Sequence, residues 1–167
     1  MSEQQLSLSI IPLPRDIKMG QGSLKLGDVG QSPVNVTFPA VLERAGNLVH
    51  EMLEAVTGKE IKVLTNTYSC DNLVEISLTV DPGLPEDTYR ITIMDAAILA
   101  GGSLRALQWA IASLMQMVHQ AGHAGSPWSL PRCNITDAPA YPYIGLLVDL
   151  ARKWHPVHVL KQCILLC

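Results

Sequence analysis

A short apolar run near the end of the sequence, Gly145-Leu-Leu-Val-Asp-Leu150, constrains the fold more than any other segment. It is continuous rather than alternating, which is typical of a strand buried on both faces of a parallel sheet. His155-Pro156 then marks a helix start, and Val157 and Leu160 begin its apolar face. A parallel strand needs parallel neighbours, and none follows in this sequence. We therefore predict one β-strand and one α-helix, a single unit of a repeating (β/α) fold.

The sequence before that run predicts an antiparallel sheet. Its strand-like segments alternate apolar and polar residues or are rich in β-branched and aromatic residues, and Gly, Pro and Asp turns separate them. The predicted strands cover residues 23–26, 34–38, 61–64, 73–80, 89–94 and 98–100. Gly20-Gln-Gly22 is predicted to form a turn, and Leu130-Pro131 to begin an extended linker.

Two amphipathic helices are predicted within the same region. The first has apolar residues at three- and four-residue intervals and ends at Gly58, a residue type that favours the position after a helix. Its apolar stripe is Val41, Leu42, Ala45, Leu48, Val49, Met52, Leu53 and Val56. The second begins after the N-cap Ser103 and ends near Gln120. Its apolar stripe is Leu104, Leu107, Ile111, Leu114, Met115 and Val118.

These elements indicate two parts. Residues 1–132 are predicted to form an α+β domain, an antiparallel sheet with both helices on one face. Residues 133–167 are predicted to form a linker followed by the isolated β-strand and α-helix.

Composition narrows the possible partners. Hydrophobic residues make up 48% of the chain and charged residues 16%, which suits a packed core. The net charge of −3 does not indicate a basic surface that would bind nucleic acid, and no apolar run is long enough to span a membrane. The first residues lack the basic and apolar regions of a signal peptide. We expect a cytoplasmic protein as the sequence stands, or a secreted or periplasmic one if a leader was removed.

Metal and cofactor sites are not expected. Cys163 and Cys167 lie one helical turn apart, but buried apolar packing explains such a pair better than metal binding. His119 and His123 have a similar spacing without a third ligand nearby, and a loop is predicted between them. His50 lies on the polar face of the first helix and is interpreted as solvated.

Several motifs together resemble glycoside hydrolase family 20, the β-N-acetylhexosaminidases. The small N-terminal domain of that family is similar to this chain in Ile11-Pro-Leu-Pro14 with Gly22-Ser-Leu-Lys-Leu26, in Asp87-Thr-Tyr-Arg-Ile91, and in Leu104-Arg-Ala-Leu-Gln-Trp109. Ile135-Thr-Asp-Ala-Pro139 and Tyr143-Ile-Gly-Leu-Leu-Val-Asp-Leu-Ala-Arg152 look like the start of its catalytic (β/α)₈ barrel. The resemblance implies that the apolar run is the first strand of a truncated barrel.

The resemblance also implies where sugar-binding residues would lie. The family has a sugar-binding arginine just before the glycine of the first barrel strand, and here that position holds Ile144. Asp149 and Arg152 lie at the end of the predicted strand, where barrel active sites lie, so they are the candidate substrate-binding residues. In the alternative interpretation Asp149 caps the following turn and Arg152 pairs with it. Trp154 is either a sugar-stacking residue or a packing residue.

The resemblance implies a catalytic Asp-Glu pair further along the barrel, in which the glutamate is the general acid and the aspartate orients the substrate's own acetamido group. This sequence contains no Asp-Glu dipeptide. We therefore expect the non-catalytic N-terminal region of such an enzyme, inactive by itself, with no catalytic residue of its own and an N-acetylhexosaminide as the parent enzyme's substrate.

Two other hypotheses remain open. The first is a free-standing interaction module that self-associates or binds a partner chain through the apolar strand and helix at the end of the sequence. Its apolar residues without a barrel to cover them are Leu146, Leu147, Val148, Leu160, Ile164 and Leu165. The second is a small independent hydrolase that uses Asp149 with His155 or His158, although no nucleophile motif accompanies them.

Overall fold

The computed structural model describes residues 8–26, 33–58, 62–68, 73–123, 128–141, 147–149, 152 and 154–166. Within these residues the chain forms seven strands and three α-helices, and a short 3-10 turn, Ala40–Leu42, precedes the first helix. The strands are β1 (Asp16–Lys25), β2 (Val34–Thr37), β3 (Val63–Asn66), β4 (Val74–Val80), β5 (Tyr89–Ile93), β6 (Ala97–Gly101) and β7 (Ser129–Asp137). The helices are α1 (Glu43–Thr57), α2 (Leu104–His123) and α3 (Val157–Leu166).

All seven strands belong to one mixed sheet in the order β1-β7-β5-β6-β4-β2-β3. The predicted antiparallel sheet is therefore wrong, because β2 pairs parallel with both β3 and β4, and β4 pairs parallel with β6. Helix α1 explains one of these pairs. It returns the chain to the end of the sheet at which β2 begins, so β3 runs in the same direction as β2.

The antiparallel prediction also fails at the turn between β4 and β5. That turn does not join neighbours, because β6 lies between the two strands it connects. Strand β5 then returns next to β6 through a tight antiparallel connection in which Met94 N–H donates to the Ala96 carbonyl. Alternation of apolar residues fixes which face a strand buries, but it carries no information about strand direction.

Strand β7 occupies the position where the sequence predicts a linker. It pairs with β1 on one side and with β5 on the other. Pro131 lies outside the part of β7 that pairs with β5, which begins at Cys133, so its missing N–H breaks no bond on that side. The predicted division of the chain at residue 132 stays a prediction, and β7 spans that position.

Strand β1 is longer than predicted and includes the Gly20-Gln-Gly22 segment. Its register with β7 shifts between Met19 and Ser23, which marks a β-bulge rather than a chain-reversing turn. Gly22 has a φ of 83°, which glycine adopts at little cost. The bulge bends the exposed edge strand without ending it.

Helices α1 and α2 contact each other and cover one face of the sheet. Helix α1 ends at the predicted position, where Gly58 is left-handed and its N–H bonds to the Glu54 carbonyl. Helix α2 continues to His123, three residues beyond the predicted end. The large fully buried side chains of this core are Leu26, Leu53, Ile76, Leu78, Ile91, Ile93, Leu99, Leu107, Ile111, Leu114, Leu130 and Ile135. Val41, Leu48 and Leu104, assigned to apolar stripes from the sequence, are exposed.

The predicted buried strand over Gly145–Leu150 is not formed in its described part. Residues 147–149 have no regular secondary structure, and the Leu147 side chain is 93% exposed. Gly145, Leu146 and Leu150 lie outside the described residues. The helix predicted after Pro156 is present as α3, and its first turn is closed by bonds from Val159 and Leu160 N–H to the Pro156 carbonyl.

Candidate functional site

Asp149 and Arg152, the two candidate substrate-binding residues, lie together on the surface. Arg152 Nε is 3.6 Å from Asp149 Oδ2, and the side chains are 91% and 54% exposed for Arg152 and Asp149 respectively. An ion pair with this much water around it stabilises a protein by only about 0–1 kcal/mol. The pair is the one described by the alternative interpretation, in which Arg152 serves as the partner of Asp149.

The other candidate residues of this segment are described by their exposure. Trp154 is exposed, His155 is half-buried and His158 is exposed at the start of α3. Ile144, which stands where the resemblance implies a sugar-binding arginine, lies outside the described residues. An exposed tryptophan can stack on a sugar ring, and the sugar-binding prediction for this segment stays a prediction.

The described residues contain no group of three or more His, Cys, Asp or Glu side chains that could hold a metal ion. His119 and His123 both belong to α2, so the loop predicted between them is absent. The His123 and Cys163 side chains and all of Cys167 lie outside the described residues. His50 Nε2 lies 3.5 Å from Glu54 Oε1 one turn along α1, and His50 Nδ1 is buried with no hydrogen bond to any residue that the structure describes. His50 is therefore half-buried rather than solvated.

A second polar group, which the sequence analysis did not identify, lies where β5, β7 and α2 meet. The Tyr89 hydroxyl is 2.8 Å from Ser113 Oγ on α2 and donates to Asp137 Oδ2 at 3.1 Å. Tyr89 and Ser113 are both buried, and Tyr89 lies directly opposite Asp137 in the sheet register. The inward position of Tyr89 in an alternating strand was the available signal, since a buried tyrosine hydroxyl normally needs a partner.

Burial changes the acid–base behaviour of two groups in this core. It raises the pKa of Tyr89 to about 12, the Ser113 bond opposes that rise, and the negative charge of Asp137 adds to it. Burial also raises the pKa of the Cys133 thiol to about 11. Neither group ionises near neutral pH, so Tyr89 acts as a neutral hydrogen-bonding group and Cys133 as an apolar one.

The chain matches the family model described as glycosyl hydrolase family 20, domain 2, over residues 7–138. A β-hexosaminidase of Akkermansia muciniphila is 40% identical over 82 residues, which cover 48% of this chain and 16% of that protein. β-Hexosaminidase subunit B2 of Dictyostelium discoideum is 24% identical over an alignment of 188 positions, which covers 98% of this chain and 30% of that protein.

Solved structures show the same fold. The β-N-acetylhexosaminidase of Bacteroides fragilis superposes with a TM-score of 0.73 at 24% identity, covering 93% of this chain and 30% of that one. The family 20 exo-β-N-acetylglucosaminidase of Vibrio harveyi, in complex with N-acetylglucosamine, superposes with a TM-score of 0.70 at 23% identity, covering 93% of this chain and 23% of that one. The chain thus spans less than a third of the length of each of these proteins.

Proposed function

Because the chain belongs to glycosyl hydrolase family 20, we propose that it is the non-catalytic N-terminal region of a β-N-acetylhexosaminidase-like glycoside hydrolase and is inactive by itself. The parent activity is removal of terminal N-acetylhexosamine from glycans. The observation that carries this proposal is the match of residues 7–138 to domain 2 of the family.

The chemistry of the described residues supports inactivity. A carboxyl group that acts as general acid in a glycosidase normally lies in a pocket that limits water. Asp149 is more than half exposed and lies beside Arg152 on the surface. The half-buried Asp137 carboxylate is not a substitute, because one of its oxygens already accepts the Arg15 N–H and the other accepts the Tyr89 hydroxyl.

A chromogenic N-acetyl-β-glucosaminide tests the proposal. The pure chain should release no more chromophore than a blank without protein, while an active β-hexosaminidase purified in the same way serves as the positive control. Asp149→Ala should give the same result as the unchanged chain. Robust hydrolysis by the pure chain would refute the proposal, and its loss in Asp149→Ala would support the independent hydrolase instead.

A second candidate function is self-association through the apolar residues near the end of the sequence. Leu147, Trp154 and Val157 are exposed, and covering each large aliphatic side chain is worth about 1.5–3 kcal/mol. Light scattering should then show a dimer whose dissociation is favoured by Leu147→Asp. The matched control is Leu13→Asp, another exposed leucine far earlier in the chain. A monomer at every concentration would exclude this role.

A further inference from the structure

The last residue of β7 lies at a point where two strand ladders end together. Pairing of β1 with β7 stops at Asp16 and Thr136, and pairing of β5 with β7 stops at Tyr89 and Asp137. Beyond this point the backbone of β7 has no further partner in either ladder. The chain continues through 138–141, so something other than the sheet must fix its direction there.

At the end of each ladder the Asp137 side chain makes one further contact. Its Oδ1 accepts the Arg15 backbone N–H at 3.1 Å, and its Oδ2 accepts the Tyr89 hydroxyl at 3.1 Å. Tyr89 is held in turn by Ser113 at 2.8 Å. The two oxygens therefore join the segment before β1, strand β5 and helix α2 to one side chain. Bonds to a charged acceptor are the stronger kind of hydrogen bond.

Arg15 also contacts the chain that follows β7. While its backbone N–H binds Asp137, its guanidinium Nη2 donates to the Pro139 carbonyl at 2.5 Å. Arg15 thus contacts the chain at two points, two residues apart. Pro139 restricts its own φ, and it restricts Ala138 as the residue before a proline.

The segment before Arg15 is itself anchored to α2. Gln116 Oε1 accepts the Ile11 N–H at 2.9 Å, and Gln116 Nε2 donates to the Ile11 carbonyl at 3.0 Å. Gln120, one turn later, makes the same two contacts with Ser9. Each side-chain amide therefore binds the backbone as a neighbouring strand would, and Ile10 between them is buried in the core. Arg15 is consequently attached to a fixed segment.

We infer that Asp137 is a positioning residue, which together with Arg15 holds the chain leaving β7 in one direction relative to the sheet and α2. This inference concerns the described domain alone and does not depend on the proposed function. Residues 138–141 are accordingly held rigid by the side chains of Asp137 and Arg15 and not by sheet pairing.

Backbone NMR on the full chain tests the inference. In Asp137→Ala the Arg15 amide should lose about tenfold or more of its protection against hydrogen exchange. The order parameters of Ala138 and Ala140 should fall from about 0.85, typical of rigid backbone, towards about 0.6. Asp95→Ala is the matched control, because it removes another aspartate that pairs with an arginine, Arg132, at 2.6 Å. That variant should change neither reading.

Arg15→Ala keeps the test decisive if Asp137→Ala does not fold. Arg15 is exposed, and the variant retains the backbone N–H that binds Asp137 while it removes the guanidinium contact with Pro139. The order parameters of Ala138 and Ala140 should then fall while the Arg15 position keeps its amide protection. Unchanged order parameters in Arg15→Ala, or in a folded Asp137→Ala, would overturn the inference.

Discussion

Raising the pH above 10 should destabilise the domain through Tyr89. Burial raises the pKa of this hydroxyl from 10.0 to about 12 in the folded chain. An unfolded chain therefore loses the Tyr89 proton near pH 10, whereas the folded chain keeps it until near pH 12. The stability contributed by Tyr89 is fully present below pH 10 and is lost as the pH rises through 12.

The size of the effect follows from the difference between the two pKa values. One pKa unit corresponds to about 1.4 kcal/mol, so a rise of two units corresponds to about 3 kcal/mol of folding free energy. That is a large part of the roughly 5–15 kcal/mol by which domains are stable. The Cys133 thiol, with its pKa raised from 9.0 to about 11, adds a loss of the same sign between pH 9 and 11. The two contributions must therefore be separated by mutation.

Denaturant unfolding followed by circular dichroism, from about pH 8 to about pH 11.5, measures the larger part of this loss. In a Cys133→Ala background, Tyr89→Phe should remove most of the decline above pH 10. It should also cost about 1–3 kcal/mol at pH 8, because Ser113 loses its buried partner. Tyr68→Phe is the control, since Tyr68 is exposed. An equal alkaline decline with and without the Tyr89 hydroxyl would refute the reasoning.

Four further substitutions, one of them a control, test the packing of the fold by thermal or denaturant unfolding. Leu114→Ala should cost about 2–5 kcal/mol because Leu114 is 0% exposed, whereas Leu104→Ala in the same helix, at 57% exposed, should cost less than about 1 kcal/mol; equal losses would contradict the assigned core. Gly102→Ala should cost about 1–3 kcal/mol or more, because the Cβ of the new alanine would lie 2.0 Å from the Pro85 carbonyl oxygen. A neutral result would contradict that close approach. Ser103→Ala should cost about 1 kcal/mol, because the Ser103 hydroxyl accepts the Ala106 N–H at 3.2 Å, and an unchanged midpoint would exclude the cap.

Local patterns in the sequence were sufficient to predict the helices and most strand positions. Gly58 ends α1 as predicted. The α2 stripe is buried from its second residue on, as its spacing indicates, at Leu107, Ile111, Leu114, Met115 and Val118. The family resemblance is confirmed by the match over residues 7–138. These successes depend on residues that are close together along the chain.

The errors concern contacts between residues that are far apart. The mixed sheet depends on which strands become neighbours, and no local pattern encodes that choice. Pro131 made β7 look like a linker, although Leu130, Cys133 and Ile135 of the same strand are buried. The Asp137 contacts join residues 48 and 122 positions apart, so the sequence alone indicated only an aspartate in a linker.

The candidate sugar-binding residues could be placed but not assigned a role from the sequence. The spacing of Asp149 and Arg152 allows both sugar binding and simple pairing, and the structure places them 3.6 Å apart on the surface. The role depends on which groups surround the pair in a complete sugar site. The three-residue spacing of Asp149 and Arg152 does not determine those groups.

The position of β1 has a consequence for how this domain folds. Strand β1 is made first, yet its partner in the sheet is β7, whose residues lie more than a hundred positions later. The other strands can pair while β1 waits, and closing so long a loop is slow because its entropy must be lost before the contacts form. During synthesis β1 therefore stays unpaired until β7 has left the ribosome. A nascent chain stalled before residue 129 would lack β7, so its β1 would have no partner in the sheet.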